Sequence, residues 1–374
     1  MLYDLYSESV AMRYSALVFT IAALAFSPSA HAKWGIIGKD DRRLVPKKFQ
    51  KLARSIGLLY DSRWRHLCTA FCVGDDVIAT NAHCLPYVNI KKRRRIRSVR
   101  HFRYFLMDNG QIRYQAKLKV NRVGNRDKPW VSVLSGRLAR GAKRNSATAW
   151  RREKHQDWAL AKLSLPVCRG DVLRFADPAF LRRRSNLRKS KIFSIGFHGD
   201  KRDNKRRYAP CRISKVTGRG NRLSVNHTCD TFLGASGSPI FAETPAGPRV
   251  IALVVGQVRG RKWRQDPNVR RVTVGRWQTN VGVLPLEFLP KLPRFQAAEF
   301  VGSPLPMKDL QTRLIAAGYL GGRADGRFGP LTRGAIVRIE KELGLTPLGL
   351  PTRRIIEHLS ADAAAPPATA APKT

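Results

Sequence analysis

The sequence predicts a β-rich body over residues 33–290 followed by a small all-α domain over residues 306–360. Three observations carry this reading. Val77-Ile78-Ala79 is a short apolar run leading into Thr80-Asn81-Ala82-His83-Cys84, and Ala159-Leu160-Ala161-Lys162-Leu163 alternates after His155-Gln156-Asp157-Trp158; both read as strands. Near the other end Leu310, Leu314 and Ala317 recur at helical spacing, with Gly318 as a stop. Between the two parts, the Pro-spaced stretch 291–305 reads as a linker.

Within the β-rich part, Gly234-Ala235-Ser236-Gly237-Ser238-Pro239 sets a serine between two glycines. A free hydroxyl is a poor nucleophile and needs a base beside it and amide donors aimed at the developing oxyanion. Small neighbours let the backbone turn tightly enough to supply those donors. Glycine and serine also build ordinary turns, so partners decide the reading. His83 at a strand end and Asp157 just before another strand provide a base and its orienting carboxylate, in the order His, Asp, Ser.

With these residues the chain resembles the trypsin-like serine peptidases, specifically the bacterial branch that includes the glutamyl endopeptidases. The resemblance starts at Ile36-Ile37-Gly38-Lys39-Asp40-Asp41-Arg42, continues through Cys68-Thr69-Ala70-Phe71-Cys72-Val73-Gly74, and ends beyond Ile251-Ala252-Leu253-Val254-Val255-Gly256. It implies two six-stranded antiparallel barrels with the active site in the cleft between them. It also implies that Ser236 attacks a scissile carbonyl, that His83 takes and returns the proton, and that Asp157 orients the imidazole. The N–H groups of Gly234 and Ser236 would form the oxyanion hole. Ala235 stands where digestive trypsins carry an aspartate that pairs with a newly cut N-terminus, so a cleft that forms without that switch is expected.

Specificity stays open in the sequence. Asp230 lies six residues before Ser236, where trypsins place a pocket carboxylate that would favour Arg or Lys; the alternative is a turn cap after Cys229. Thr231 falls where glutamyl endopeptidases use a threonine, but their partner histidine would fall at Val254. Val254, Val255 and Gly256 would line the substrate channel. With 70 Lys and Arg residues, an enzyme of trypsin specificity would be exposed to its own activity.

The run Ala16–Phe26 is apolar and 11 residues long, too short to span a bilayer. It precedes Ala30-His31-Ala32, a small-x-small cleavage pattern, so residues 1–32 read as a secretory signal peptide. Asp4 and Glu8 precede the run where a basic region is expected, which makes Met12 the better start. Six cysteines fit an oxidising compartment. The resemblance implies Cys68–Cys84 and Cys211–Cys229, which leaves Cys72–Cys168 by elimination. Cys68-x3-Cys72 with His83-Cys84 could alternatively ligate zinc, but zinc would consume the base. No cofactor and no metal are expected.

Beyond Pro306, the glycine-rich turn Ala324-Asp325-Gly326-Arg327-Phe328-Gly329-Pro330-Leu331-Thr332 leads into a helix from about Leu331 to Leu343, and a third helical pattern covers Thr352 to Leu359. This resembles the three-helix peptidoglycan-binding domain found on cell-wall hydrolases. Tyr319, Asp325, Gly326, Phe328, Gly329 and Thr332 are its candidate wall-binding motif. Ile339-Glu340 stands where that family usually has Phe-Gln; the alternative is a helical appendage without its ligand. Residues 361–374, nearly all Ala and Pro, read as a disordered tail.

The net charge of +44 is concentrated in runs such as Lys91–Arg97, Arg182–Arg184, Lys205–Arg207 and Arg259–Arg264. Such a surface attracts polyanions in a salt-dependent way. The signal peptide points to anionic envelope polymers rather than to specific nucleic acid. No later apolar stretch reaches membrane-spanning length. The expectation is a secreted bacterial serine endopeptidase acting on polypeptides, held on peptidoglycan in the periplasm or at the cell wall. Two alternatives are a catalytically silent protease-like protein that binds wall or polyanions, and a peptidase acting on peptidoglycan stem peptides.

Overall fold

The computed structural model describes residues 35–62, 66–85, 101–121, 130–131, 133–136, 154–201, 203–264, 272–300 and 305–362. The signal peptide, the basic run 91–97, residues 301–304 of the expected linker and the tail beyond 362 lie outside the described residues. Among the described residues no helix is long and apolar enough to cross a membrane.

Two antiparallel sheets dominate the body. One runs, edge to edge, Gln111–Lys117, Phe102–Asp108, Ile56–Asp61, His66–Gly74, Val77–Thr80, Ala159–Lys162 and Val133–Ser135. The other runs Arg43–Leu44, Arg207–Cys211, Ile192–Gly196, Pro239–Ala242, Arg249–Arg264, Val272–Val283, Arg222–His227 and Ile213–Arg219. Among the described residues these are seven- and eight-stranded sheets, not the six and six expected. One reason is the two-residue strand Arg43–Leu44, which adds itself to the edge of the second sheet opposite Arg207 and Tyr208.

Strand alternation explains how the sheets meet. In Ala159–Lys162, Leu160 faces a core shared with Phe71, Trp158, Phe193 and Phe241, whereas Ala159 and Ala161 face a second core with Leu59, Ala70, Ile78 and Tyr104. The period of two is present, but both faces are buried, so the strand that read as alternating has no solvent face. Even Lys162 is buried; its ammonium donates to the Gln296 carbonyl at 2.7 Å and pairs with Asp76. Pro239–Ala242 behaves alike, with Phe241 in the shared core and Ile240 and Ala242 in a third core inside the second sheet. The loops that carry chemistry therefore leave from strands fixed on both sides.

The Pro-spaced stretch is packed structure as far as Phe300, which corrects the linker reading. Pro290 and Pro293 sit in the first turns of the 3-10 turn Leu289–Lys291 and the helix Leu292–Gln296, positions where the missing N–H costs nothing. Phe295 is fully buried, and Leu292, Ala298 and Phe300 join the shared core. Gln296 donates to the Val73 carbonyl at 2.5 Å.

The C-terminal helices are Met307–Ala316, Pro330–Glu342 and Arg353–Asp362. Leu310, Leu314, Ile336, Ile339, Ile355 and Leu359 make their common core. The first helix closes with Gly318 at φ +74, Gly318 N–H donating to Ile315 and Tyr319 N–H to Leu314, the reciprocal pattern of a Schellman cap. Leu348 and Leu350 extend out of this domain into the shared core of the body. Phe300 pairs with Thr352 in a β-bridge, and Arg353 N–H donates to the Glu299 carbonyl at 2.9 Å.

Candidate active site

His83 sits in the tight turn Ala82–Cys84 directly after the strand Val77–Thr80. Its Nδ1 lies 2.7 Å from Asp157 Oδ2, and its backbone N–H donates to Asp157 Oδ1 at 3.0 Å. One carboxylate thus holds both the ring and the main chain. An Nδ1–H donated to Asp157 leaves Nε2 as the acceptor. Asp157 is 2% exposed, and its own main-chain carbonyl accepts from Asn81 Nδ2 at 2.7 Å. Behind it, Trp158 is buried and donates to Glu287. The disulfide Cys68–Cys84 ties the histidine turn to the neighbouring strand.

Ser236 is half-buried, and its position beside this turn is set by main-chain bonds. Thr69 N–H donates to the Ser236 carbonyl at 2.8 Å, and Gly237 N–H to the Val254 carbonyl at 2.8 Å. Thr69 Oγ1 donates to the Gly234 carbonyl at 2.9 Å and accepts from Phe197 N–H. Gly237 is at φ +85, and a Cβ there would lie 2.1 Å from the Thr69 carbonyl oxygen, so only glycine allows the approach. Gly234, at φ +98, likewise needs the left-handed region. The N–H groups of Gly234 and Ser236 have no hydrogen-bond partner among the described residues, which leaves two amides for an oxyanion. Ser236 Oγ lies 3.5 Å from the Val255 carbonyl, at a bulge between Val254 and Gly256 in the strand Arg249–Arg264. Ala235 is buried.

The sulfurs of Cys68, Cys84, Cys72, Cys168, Cys211 and Cys229 are joined in the bridges Cys68–Cys84, Cys72–Cys168 and Cys211–Cys229. Cys68, His83 and Cys84 cluster closely enough to suggest a metal site. Two of the three are bonded to each other, however, and so offer no thiolate.

Asp230 has a different setting from the pocket reading. It is 2% exposed, and its oxygens accept from Ile37 N–H at 2.7 Å and Asp41 N–H at 3.0 Å. It thus caps amides of the first segment of the body. Thr231 is buried and donates its N–H to the Gly35 carbonyl. The sequence reading missed this lacing, along with Asn81, Thr69, Gln257 and Asn280. Only Asn81 and Thr69 had a local signal, since both lie inside motifs already singled out.

In the C-terminal domain, Gln311 is the hub that sequence reading passed over. Its Nε2 donates to Asp325 Oδ1 at 2.7 Å, to the Arg327 carbonyl at 2.9 Å and to Thr332 Oγ1 at 3.1 Å, while its Oε1 accepts from Gly326 N–H at 2.7 Å. Phe328 lies in the helical core, and Gly329 precedes Pro330 as the helix N-cap. Asp325, Gly326, Phe328, Gly329 and Thr332 therefore build the loop, with Asp325 and Gly326 exposed on it. Tyr319 donates its hydroxyl to Glu342.

With this geometry in place, the comparisons define the chain's two parts. Residues 68–253 match the trypsin-like peptidase domain, and residues 305–359 match the putative peptidoglycan binding domain. The chain therefore carries a trypsin-like peptidase domain followed by a putative peptidoglycan-binding domain. It is similar to a solved structure described as Glu endopeptidase in complex with MPD, with 17% identity over 70% of this chain and 99% of that chain and a TM-score of 0.44. No curated protein matches the chain.

Proposed function

We propose that this protein is a secreted serine endopeptidase that hydrolyses peptide bonds through Ser236, His83 and Asp157 and is held at the cell wall by its peptidoglycan-binding domain. The observation that carries this reading is the double hold of Asp157 on His83, at 2.7 Å to the ring and 3.0 Å to the main chain. A carboxylate bound in that way fixes the imidazole tautomer that accepts a proton at Nε2.

Ser236 Oγ would attack the substrate carbonyl carbon as its proton passes to His83 Nε2. The tetrahedral oxyanion would be met by the Gly234 and Ser236 amides. His83 would then protonate the leaving amine, and water would hydrolyse the acyl-enzyme with the same histidine as base. Because the amides of Ile37 and Asp41 cap the Asp230 carboxylate, the site draws no support from it for a basic side chain. The three disulfides and the signal-peptide pattern support export to the periplasm or wall.

A fluorophosphonate probe tests the reading. Labelling of Ser236 in the oxidised protein that is lost in His83→Ala is the expected result. Folded protein that takes no label would return the chain to the silent, wall- or polyanion-binding alternative. Release of soluble muropeptides from purified sacculi, without cleavage of casein, would instead identify a peptidase of peptidoglycan stems. Sedimentation of the full chain with insoluble peptidoglycan at salt that screens surface charge tests the anchor.

A further inference from the structure

The segment 35–41 is laced to the stretch that precedes the nucleophile. Gly35 N–H donates to Gln257 Oε1 at 2.8 Å. The Gly35 carbonyl accepts from Thr231 N–H at 3.0 Å and Asn280 Nδ2 at 2.7 Å, and the same Asn280 amide reaches the Cys229 carbonyl at 2.7 Å. Ile37 and Asp41 then give their amides to Asp230. Asp41 carries its carboxyl on the same residue whose N–H caps Asp230, and the two acids repel when both are charged. Resting on the serine peptidase reading, we propose that residues 35–41 form a strap that positions the nucleophile loop, with Asp230 as the positioning residue and Asp41 as its protonatable partner.

A buried carboxylate without donors is strongly unfavourable, and the donors to Asp230 come from the strap. Losing the strap leaves that charge uncovered just upstream of Gly234 and Ser236, so strap and loop order together. Asp41 decides how firmly the strap holds. Protonated, it donates to Asp230; ionised, it sets like charges in contact. Burial and the neighbouring Asp230 charge push the Asp41 carboxyl up to about 6.

Asp40 opposes ionisation of Asp41 and Arg43 favours it. Arg42, Asp200 and Lys201 engage Asp40 and one another rather than Asp41. His198 is buried against Arg42, its pKa pushed down to about 3 by burial and that charge, so it stays neutral across the relevant range. The sign follows: Asp41 has its raised pKa in the laced state, so its contribution is complete below the ordinary aspartate value of 3.8 and is lost as pH rises through about 6.

The test compares the full chain with Asp41→Asn, which can donate to Asp230 at every pH. The ratio of fluorophosphonate labelling rates, wild type over D41N, removes the titration of all other groups. That ratio is expected to fall as pH rises through about 6, by up to about tenfold, the change carried by one unit of pKa coupling. Over the same range the exchange protection of the Ile37 and Asp41 amides falls in wild type and stays level in D41N. Asp230→Asn, which removes the second charge, is expected to abolish the pH dependence of both readouts. A flat labelling ratio, or wild-type amide protection that ignores pH, overturns the proposal. If no variant takes the probe, the peptidase reading fails, and amide protection still decides whether the strap is held by the carboxyl pair.

Discussion

Trp158 donates its indole N–H to Glu287 Oε2 at 2.9 Å. This joins the residue after Asp157 to the turn Pro285–Glu287, which lies beyond the last strand of the second sheet. Trp158 is one of the largest fully buried side chains and packs on Phe288 with ring centroids 5.1 Å apart. The acid of the site is thus braced from the far end of the peptidase body. Glu287→Leu leaves a buried donor unpaired and is expected to cost about 1–3 kcal/mol. Trp158→Phe in that background should recover part of the loss, measured by urea unfolding.

Asp157→Asn keeps the volume of the side chain but gives His83 the wrong partner. The rate of Ser236 labelling is expected to fall by about 10⁴ while urea unfolding changes little. Combining it with His83→Ala should add almost nothing, because residues acting as one unit are not additive.

The disulfides should separate stability from activity. Cys72–Cys168 closes a separation of 96 residues and Cys68–Cys84 one of 16. Chain entropy makes the longer closure worth more, both within a range of about 2–5 kcal/mol. Paired alanine replacement at Cys72 and Cys168 should therefore lower the unfolding midpoint further. Replacement at Cys68 and Cys84, next to His83, should slow labelling more.

Arg42 is a fourth point of control. Its guanidinium pairs with Asp40 at 2.8 Å and Asp200 at 2.6 Å, with its own side chain fully buried. Hydrogen bonds from Arg42 hold Asp40 well below the usual carboxylate range; at Asp200 burial pushes upward and Arg42 outweighs it. Depressed values mean that this stability is present above the ordinary aspartate value of 3.8 and is lost as pH falls below it. Arg42→Met is expected to cost about 3–5 kcal/mol at neutral pH and to flatten the acid limb of the stability curve.

The shared core gives a fifth test. Leu348→Ala or Leu350→Ala, both in the C-terminal domain, should destabilise the peptidase body by about 2–5 kcal/mol, read from amide protection at Phe71 and Phe241. An independent C-terminal domain would leave those amides unchanged.

What could be read from sequence follows the range of the interaction. His83, Asp157 and Ser236 each sit in a short motif with its own strand or turn signal, and Gly318 marks a helix end within a few residues of chain. Asp230 had a motif position but no local sign of its partners, because Ile37 and Asp41 lie 193 and 189 residues away. Gln311 looked like one more polar residue on a helix, since the loop it gathers comes later in the chain. The prolines of 290–293 suggested a linker because proline breaks helices in the middle. The same ring fits a first turn, and only the burial of Phe295 distinguishes the cases.

That burial bears on how such an enzyme would reach its substrates. Leu348 and Leu350 belong to the core that holds Phe71 and Trp158, so the C-terminal domain does not trail from the peptidase domain on a leash. A leashed enzyme sweeps a volume around its mooring. Were this chain to cleave while moored through that domain, a mooring that is part of its own interior would hold the cleft at a set height and a set angle.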